Sequence, residues 1–140
     1  MKSIGLDLGT KTLGIAISDK TGLIASSYKT IFFNEGEYDE LLNPIKDIIE
    51  KEEVENVVLG LPKNMNNTLG PRAIETLEFK QKLEDFLGKN IILEDERWTT
   101  VQANNLLIKA DMSRKKRKKS VDKLAATFIL QSYLDKNRKG

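Results

Sequence analysis

"IGLDLGTKTLGIAIS", residues 4–18, reads as two alternating apolar runs joined by a Gly9-Thr10-Lys11 turn. In the first run Ile4, Leu6 and Leu8 share one face, while Ser3, Gly5 and Asp7 share the other. In the second run Leu13, Ile15 and Ile17 oppose Gly14, Ala16 and Ser18. A period of two on both sides of a tight turn marks a hairpin with one strongly apolar face. The exception is Asp7, a carboxylate inside the first strand. Either it meets water at an edge, or the strand exists partly to hold that acid in place.

Working outward, Thr21-Gly22 is a second turn signal, and a third strand is expected from about Leu23 to Phe33. Three strands with such short links form an antiparallel meander. The period then changes. Tyr38, Leu41, Leu42, Ile45, Ile48 and Ile49 recur at helical spacing, with Pro44 indicating a late start or a kink. "VVLGLP" (57–62) is a short buried strand, followed by the polar loop "KNMNNTLG". Pro71 suits the first turn of a helix reaching Leu87, with Gly88 as its C-cap. "IILE" (91–94) is the last buried strand. Thr99 or Thr100 caps a helix carrying Val101, Ala103, Leu106 and Leu107, and Ser120 is expected to cap a final helix to about Leu134. The order β-β-β-α-β-α-β-α-α predicts an α/β fold. Strands 1–3 are antiparallel and helix crossovers lead to strands 4 and 5, giving a mixed five-stranded sheet flanked by helices. That order is the one found in ribonuclease H-like folds. The 140 residues are expected to form one domain.

Composition narrows the chemistry. The chain has no cysteine and no histidine, which removes disulfides, thiolate or imidazole zinc sites, and the Ser-His-Asp and Cys-His nucleophile systems. No window is apolar enough for a membrane helix, and Asp7 and Lys11 break the apolar layout of a secretory signal. A cytoplasmic location with no membrane partner is the expectation. Net charge is only +2, but "RKKRKK" (114–119) is six consecutive cations. Such a block is a common electrostatic footprint for nucleic acid, and it is also a common solvated loop. Like-charge repulsion leads us to expect a mobile segment.

Ligand sites in open α/β sheets favour the carboxyl ends of parallel strands. Asp7 lies near the end of strand one, Lys63 and Asn64 follow strand four, and Asp95-Glu96-Arg97 end strand five. Asp122 is expected in the first turn of the last helix. If these ends converge, Asp7, Glu96 and Asp122 form a carboxylate cluster. Mutual repulsion would then call for a hard divalent ion, and all-oxygen ligation selects Mg²⁺ or Mn²⁺. Two such ions activate a water and stabilise the leaving oxygen of a phosphodiester. Each acid also has an ordinary role open to it. Asp122 suits a helix dipole, Asp95 and Glu96 can pair with Arg97, and Asp7 can cap the Gly9-Thr10 turn. Thr10 and Lys11 present donors to a phosphate oxygen, and Gly5, Gly14 and Ala16 are expected to leave room for a phosphate backbone.

Four stretches together carry a family resemblance: "GLDLGTKTLGIA" (5–16), "VVLGLPKNMNNTLGPRA" (57–73), "DERWTTVQA" (95–103) and "VDKLAATFILQSYL" (121–134). Nearly end to end and in order, the chain resembles the YqgF/RuvX family of ribonuclease H-like proteins. The resemblance implies a nuclease acting on pre-16S rRNA in ribosome maturation, with Holliday-junction resolution also ascribed to members. By motif, Asp7 matches the first-strand acid, Glu96 the acid of the D-E-R motif, and Asp122 the acid opening the final helix. All three are expected to be both catalytic and metal-binding, with Mg²⁺ or Mn²⁺ as cofactor. Glu96 is preferred over Asp95 because adjacent strand side chains point in opposite directions. Asn66-Asn67 departs from the Asp/Asn-Gly pair that many members carry there. Nucleic-acid contacts are expected from Thr10, Lys11, Lys63, Asn64, Arg72 and Arg97, and from Arg114, Lys115, Lys116, Arg117, Lys118 and Lys119. The expected partners are structured RNA in a ribosomal precursor, or branched DNA, bound by a monomer or weak dimer. A non-catalytic RNA-binding assembly factor is the reading that differs in kind.

Overall fold

The computed structural model describes residues 2–62, 70–95 and 114–137, with 114–123 as helical backbone only. Strands β1 (Ser3–Leu8), β2 (Thr12–Ser18) and β3 (Ala25–Phe32) come first. A 3-10 turn, Tyr38–Leu41, then leads into α1 (Leu42–Glu52). After it come β4 (Asn56–Leu61), α2 (Pro71–Leu87), β5 (Ile91–Asp95) and α3 (Arg114–Lys136). The sheet order is β3-β2-β1-β4-β5. The first three strands pair antiparallel, and β4 and β5 add in parallel beside β1. The mixed five-stranded sheet read from the sequence is therefore the one observed.

Alternation sets the two faces of this sheet. Ile4, Leu6, Leu8, Leu13, Ile15, Val57 and Leu59 pack against Ile45 and Ile49 of α1 and Phe79 and Leu83 of α2. On the other face Ala16 and Val58 meet Ala126, Ile129, Leu130 and Leu134 of α3. Pro44 sits in the first turn of α1, where its missing N–H has no intrahelical partner to lose. Of the late start and the kink that Pro44 allows, the helix shows the late start, beginning at Leu42. Gly88 closes α2 with φ 67°, its N–H donating to the Glu84 carbonyl at 2.8 Å.

Two expectations need correction. The last helix does not begin at Ser120, since α3 runs unbroken from Arg114. The basic block is its first turns rather than a loop ahead of it, and Asp122 lies about two turns inside the helix. Lys and Arg are good helix formers. Like-charge pairs at i,i+4 cost only about 0.2–0.5 kcal/mol each, too little to stop a helix already nucleated against the sheet.

The small residues of the hairpin also serve a different purpose from the one expected. A Cβ on Gly5 would lie 2.7 Å from the Leu130 Cβ and 3.0 Å from the Ala126 carbonyl oxygen. Ala16 is fully buried under the same helix. These positions admit α3 to the sheet and leave no room there for a phosphate backbone. Gly5→Ala should therefore strain the helix-sheet contact by about 1–3 kcal/mol, lowering Tm by roughly 3–10 °C in a thermal melt. Gly14→Ala should be milder, because its Cβ would meet Ala126 and Asp7 at 3.6 and 3.7 Å, ordinary contact distances. Equal melting of the two variants would contradict this packing.

Carboxylates also tie the elements together. Asp19 accepts the Thr21 hydroxyl and the Leu23 and Ile24 amides at the β2–β3 turn. Gln131 of α3 reaches the same turn, accepting from the Ala25 amide and donating to the Leu23 carbonyl. Glu84 of α2 accepts the Ile91 amide at 2.9 Å and Lys80 at 3.1 Å, fixing the start of β5. The Thr21 bond, then the amide bonds, hold Asp19 below the usual carboxylate range. The Ile91 amide, then Lys80, do the same for Glu84. Acids depressed in the folded state stabilise it above their unfolded pKa, near 4. That stability is lost as pH falls through the folded values. Tm should be flat near neutrality and fall below about pH 4. The fall should be shallower in an Asp19→Asn/Glu84→Gln double variant, and an unchanged acid limb would refute the assignment.

Candidate active site

The parallel strands β1, β4 and β5 end side by side, in the registers Leu6↔Leu59 and Leu61↔Asp95. Asp7 is near the end of β1, half-buried and paired across the hairpin with Gly14. It shares a face with Gly5, the face covered by α3. Among the described residues no side chain hydrogen-bonds or ion-pairs with Asp7. An acid that only capped the Gly9-Thr10 turn would show a bond to it. The turn instead closes by backbone alone, Gly9 N–H to the Thr12 carbonyl at 2.7 Å.

The helix α3 crosses the sheet against the direction of β1. Leu130 lies over Gly5, and Ala126 lies between Gly5 and Gly14, the partner of Asp7. Asp122 is one turn before Ala126 on the same stripe, so its backbone position is on the Asp7 side. On β5, Ile92 packs into the α3 cluster. Glu94, only 5 % exposed, accepts Ser132 at 3.0 Å and Lys136 at 2.5 Å. Even-numbered residues of β5 thus face α3, as Asp7 does. Glu94 was missed as an anchor in the sequence, where its only signal is an acid at the core-facing parity of Ile92.

The other expected residues fall into three groups. Thr10 and Lys11 are exposed on the turn beside Asp7, with the Lys11 carbonyl accepting from the Phe33 amide at 2.9 Å. Arg72 is placed, but it is already engaged: it donates to the Leu8 carbonyl at 2.6 Å and to Glu75 at 2.7 Å. Lys63, Asn64, Glu96 and Arg97 lie outside the described residues, as do the side chains of Arg114 to Lys119 and of Asp122. Among the described residues no three carboxylates gather, and no helix is long and apolar enough to cross a membrane.

Residues 1–136 match the family described as "RuvX: Holliday junction resolvase". The chain belongs to the RuvX family. A Geobacillus kaustophilus relative named "Putative pre-16S rRNA nuclease" is 49 % identical over 138 residues, 99 % of this chain and 100 % of that one. A Bacillus subtilis relative of the same name is 49 % identical over 135 residues, covering 96 % and 98 %. Among solved structures, Thermus thermophilus RuvC in complex with Holliday junction substrate aligns with a TM-score of 0.57 at 14 % identity. The alignment covers 98 % of this chain and 96 % of RuvC. At that identity the likeness shows a shared fold, the ribonuclease H-like one. The RuvX family and these relatives are named for cutting nucleic acid, which is hydrolysis of phosphodiester bonds.

Proposed function

We propose that this RuvX-family protein is a metal-dependent endonuclease that processes the 5′ end of pre-16S rRNA in the cytoplasm. The observation that carries the reading is Asp7: a half-buried carboxylate at a parallel-strand end, with no described partner, on the face where α3 brings the backbone of Asp122. A half-buried carboxylate without a cationic partner among the described residues suits a hard metal ion as its counter-charge. Asp7, Glu96 and Asp122 are the proposed ligands. The parity of Ile92 and Glu94 on β5 supports Glu96 over Asp95.

Bound there, Mg²⁺ or Mn²⁺ supplies Lewis-acid polarisation of a phosphodiester and lowers the pKa of a water. The chain's own residues do the positioning. The β1–β2 ladder holds Asp7 on a rigid strand, and α3, packed on Gly5 and tied through Ser132 and Lys136 to Glu94, fixes the opposite wall. Thr10 and Lys11, exposed beside Asp7, donate to a phosphate oxygen. Lys63, Asn64, Arg97 and the basic start of α3 take the neighbouring backbone.

The deciding experiment is parallel cleavage of precursor 16S rRNA and a four-way DNA junction, with wild type and Asp7→Asn, in Mg²⁺ or Mn²⁺. Metal-dependent cutting of the RNA by wild type alone is the expected result. Preferential cutting of the junction would move the substrate to branched DNA. Binding without cutting of either would make the protein an assembly factor.

A further inference from the structure

Because Gly9 bonds to Thr12 across the hairpin, alternation turns the N–H and carbonyl of Leu8 away from β2, toward β4. The β1–β4 ladder, however, stops at Leu6↔Leu59. The Leu8 carbonyl therefore lies past the last rung of that ladder. Arg72, in the first turn of α2, donates there through Nη2 at 2.6 Å.

The other arm of that guanidinium is anchored too. Its Nη1 donates to Glu75 Oε2 at 2.7 Å, and the same oxygen accepts the Tyr38 hydroxyl at 3.0 Å. The Tyr38 ring packs against Phe33 and Phe79, with centroids 5.6 and 6.1 Å apart. A line of contacts thus runs from the core through Tyr38, Glu75 and Arg72 to a backbone atom one residue from Asp7.

We infer that Arg72 is a positioning residue for Asp7, holding the end of β1 beyond its last pairing with β4 among the described residues, and that it does not grip phosphate. This deepens the proposed nuclease reading and rests on it. The geometry uses the fork of arginine: two acceptors, one a fixed carbonyl and one a carboxylate braced by tyrosine. Lysine would keep the charge but not the two-armed bridge.

Arg72→Lys and Arg72→Gln separate the possibilities, with circular dichroism confirming that each folds. A positioning role predicts that kcat on precursor 16S rRNA falls in both, up to about 100-fold, with KM and the salt dependence of RNA binding unchanged. It also predicts that Mn²⁺ binds roughly 10-fold or more weakly in both by titration calorimetry, without RNA present. Raised KM and a salt slope reduced by about one in Arg72→Gln, restored in Arg72→Lys, would make Arg72 a phosphate contact and overturn the inference. A lowered Tm with wild-type kcat and Mn²⁺ affinity would overturn it too, leaving a brace of the fold alone. Should wild type bind Mn²⁺ but cut nothing, the nuclease reading fails while the calorimetry still decides the role of Arg72. Should wild type bind no Mn²⁺, there is no ion to position and the inference falls.

Discussion

Asp7→Asn is expected to abolish metal-dependent cutting of precursor 16S rRNA while leaving fold and RNA binding intact. The substitution is nearly isosteric, so the β1–β2 ladder and the Ile4, Leu6 and Leu8 face are undisturbed. What it removes is a negative charge that no described side chain neutralises. Losing a residue that merely orients metal ligands typically costs about 10–100-fold, so losing a ligand should exceed roughly 100-fold in rate. The same variant separates metal binding from folding. Saturating Mn²⁺, at a hundred times its Kd, should stabilise wild type by about 2.7 kcal/mol, or roughly 5–10 °C in Tm. Asp7→Asn should lose most of that rise and melt like wild type without metal. Cleavage at the wild-type rate by purified Asp7→Asn, or an undiminished Mn²⁺ response, would remove Asp7 from the site.

The hairpin was legible because both of its signals are local. Period-two alternation fixes the faces, and Gly9-Thr10-Lys11 fixes the turn, so the register Asp7↔Gly14 follows. The same holds for α2, where Pro71 and Gly88 mark both ends. What sequence reasoning misjudged depends on partners distant in the chain. Gly5 looked like vacant space because Leu130, 125 residues away, is what fills it. The start of α3 was misplaced because a cationic run was weighed by its repulsion alone. A helix is cooperative, and the buried stripe of Ala126, Ile129 and Leu130 supports turns that the block would not form in isolation. For Arg72, expected to contact nucleic acid, the Glu75 pair lies three residues along the same helix, whereas the Leu8 carbonyl, 64 residues back, is visible only in the folded sheet. Of the proposed carboxylates, Asp7 was found by its oddity within a strand. Glu96 and Asp122 rest on parity and on helical spacing.

Neutralising the start of α3 should weaken RNA binding more than any other surface change. A helical backbone spaces residues about 1.5 Å apart, so the six cations from Arg114 to Lys119 occupy roughly 9 Å of helix, against about 20 Å if extended. That concentrates positive charge on one end of a helix whose other half is fixed to the sheet by Leu130, Ser132 and Lys136. Binding then requires little ordering of the chain, unlike capture by a disordered tail. Glutamine is close to lysine and arginine in helix propensity, so replacing Arg114, Lys115, Arg117 and Lys118 by Gln removes charge without breaking α3. If each contacts a phosphate, the slope of log affinity against log salt should shrink by about three. Affinity near 0.1 M salt should fall on the order of 100- to 1000-fold, similarly for unrelated RNA sequences. Helicity by circular dichroism and the Mn²⁺-induced rise in Tm should be unchanged, because the proposed ion is held by carboxylates. An unchanged salt slope would mean that the charged turns of α3 only face solvent, and a lost Mn²⁺ response would mean that they shape the metal site itself.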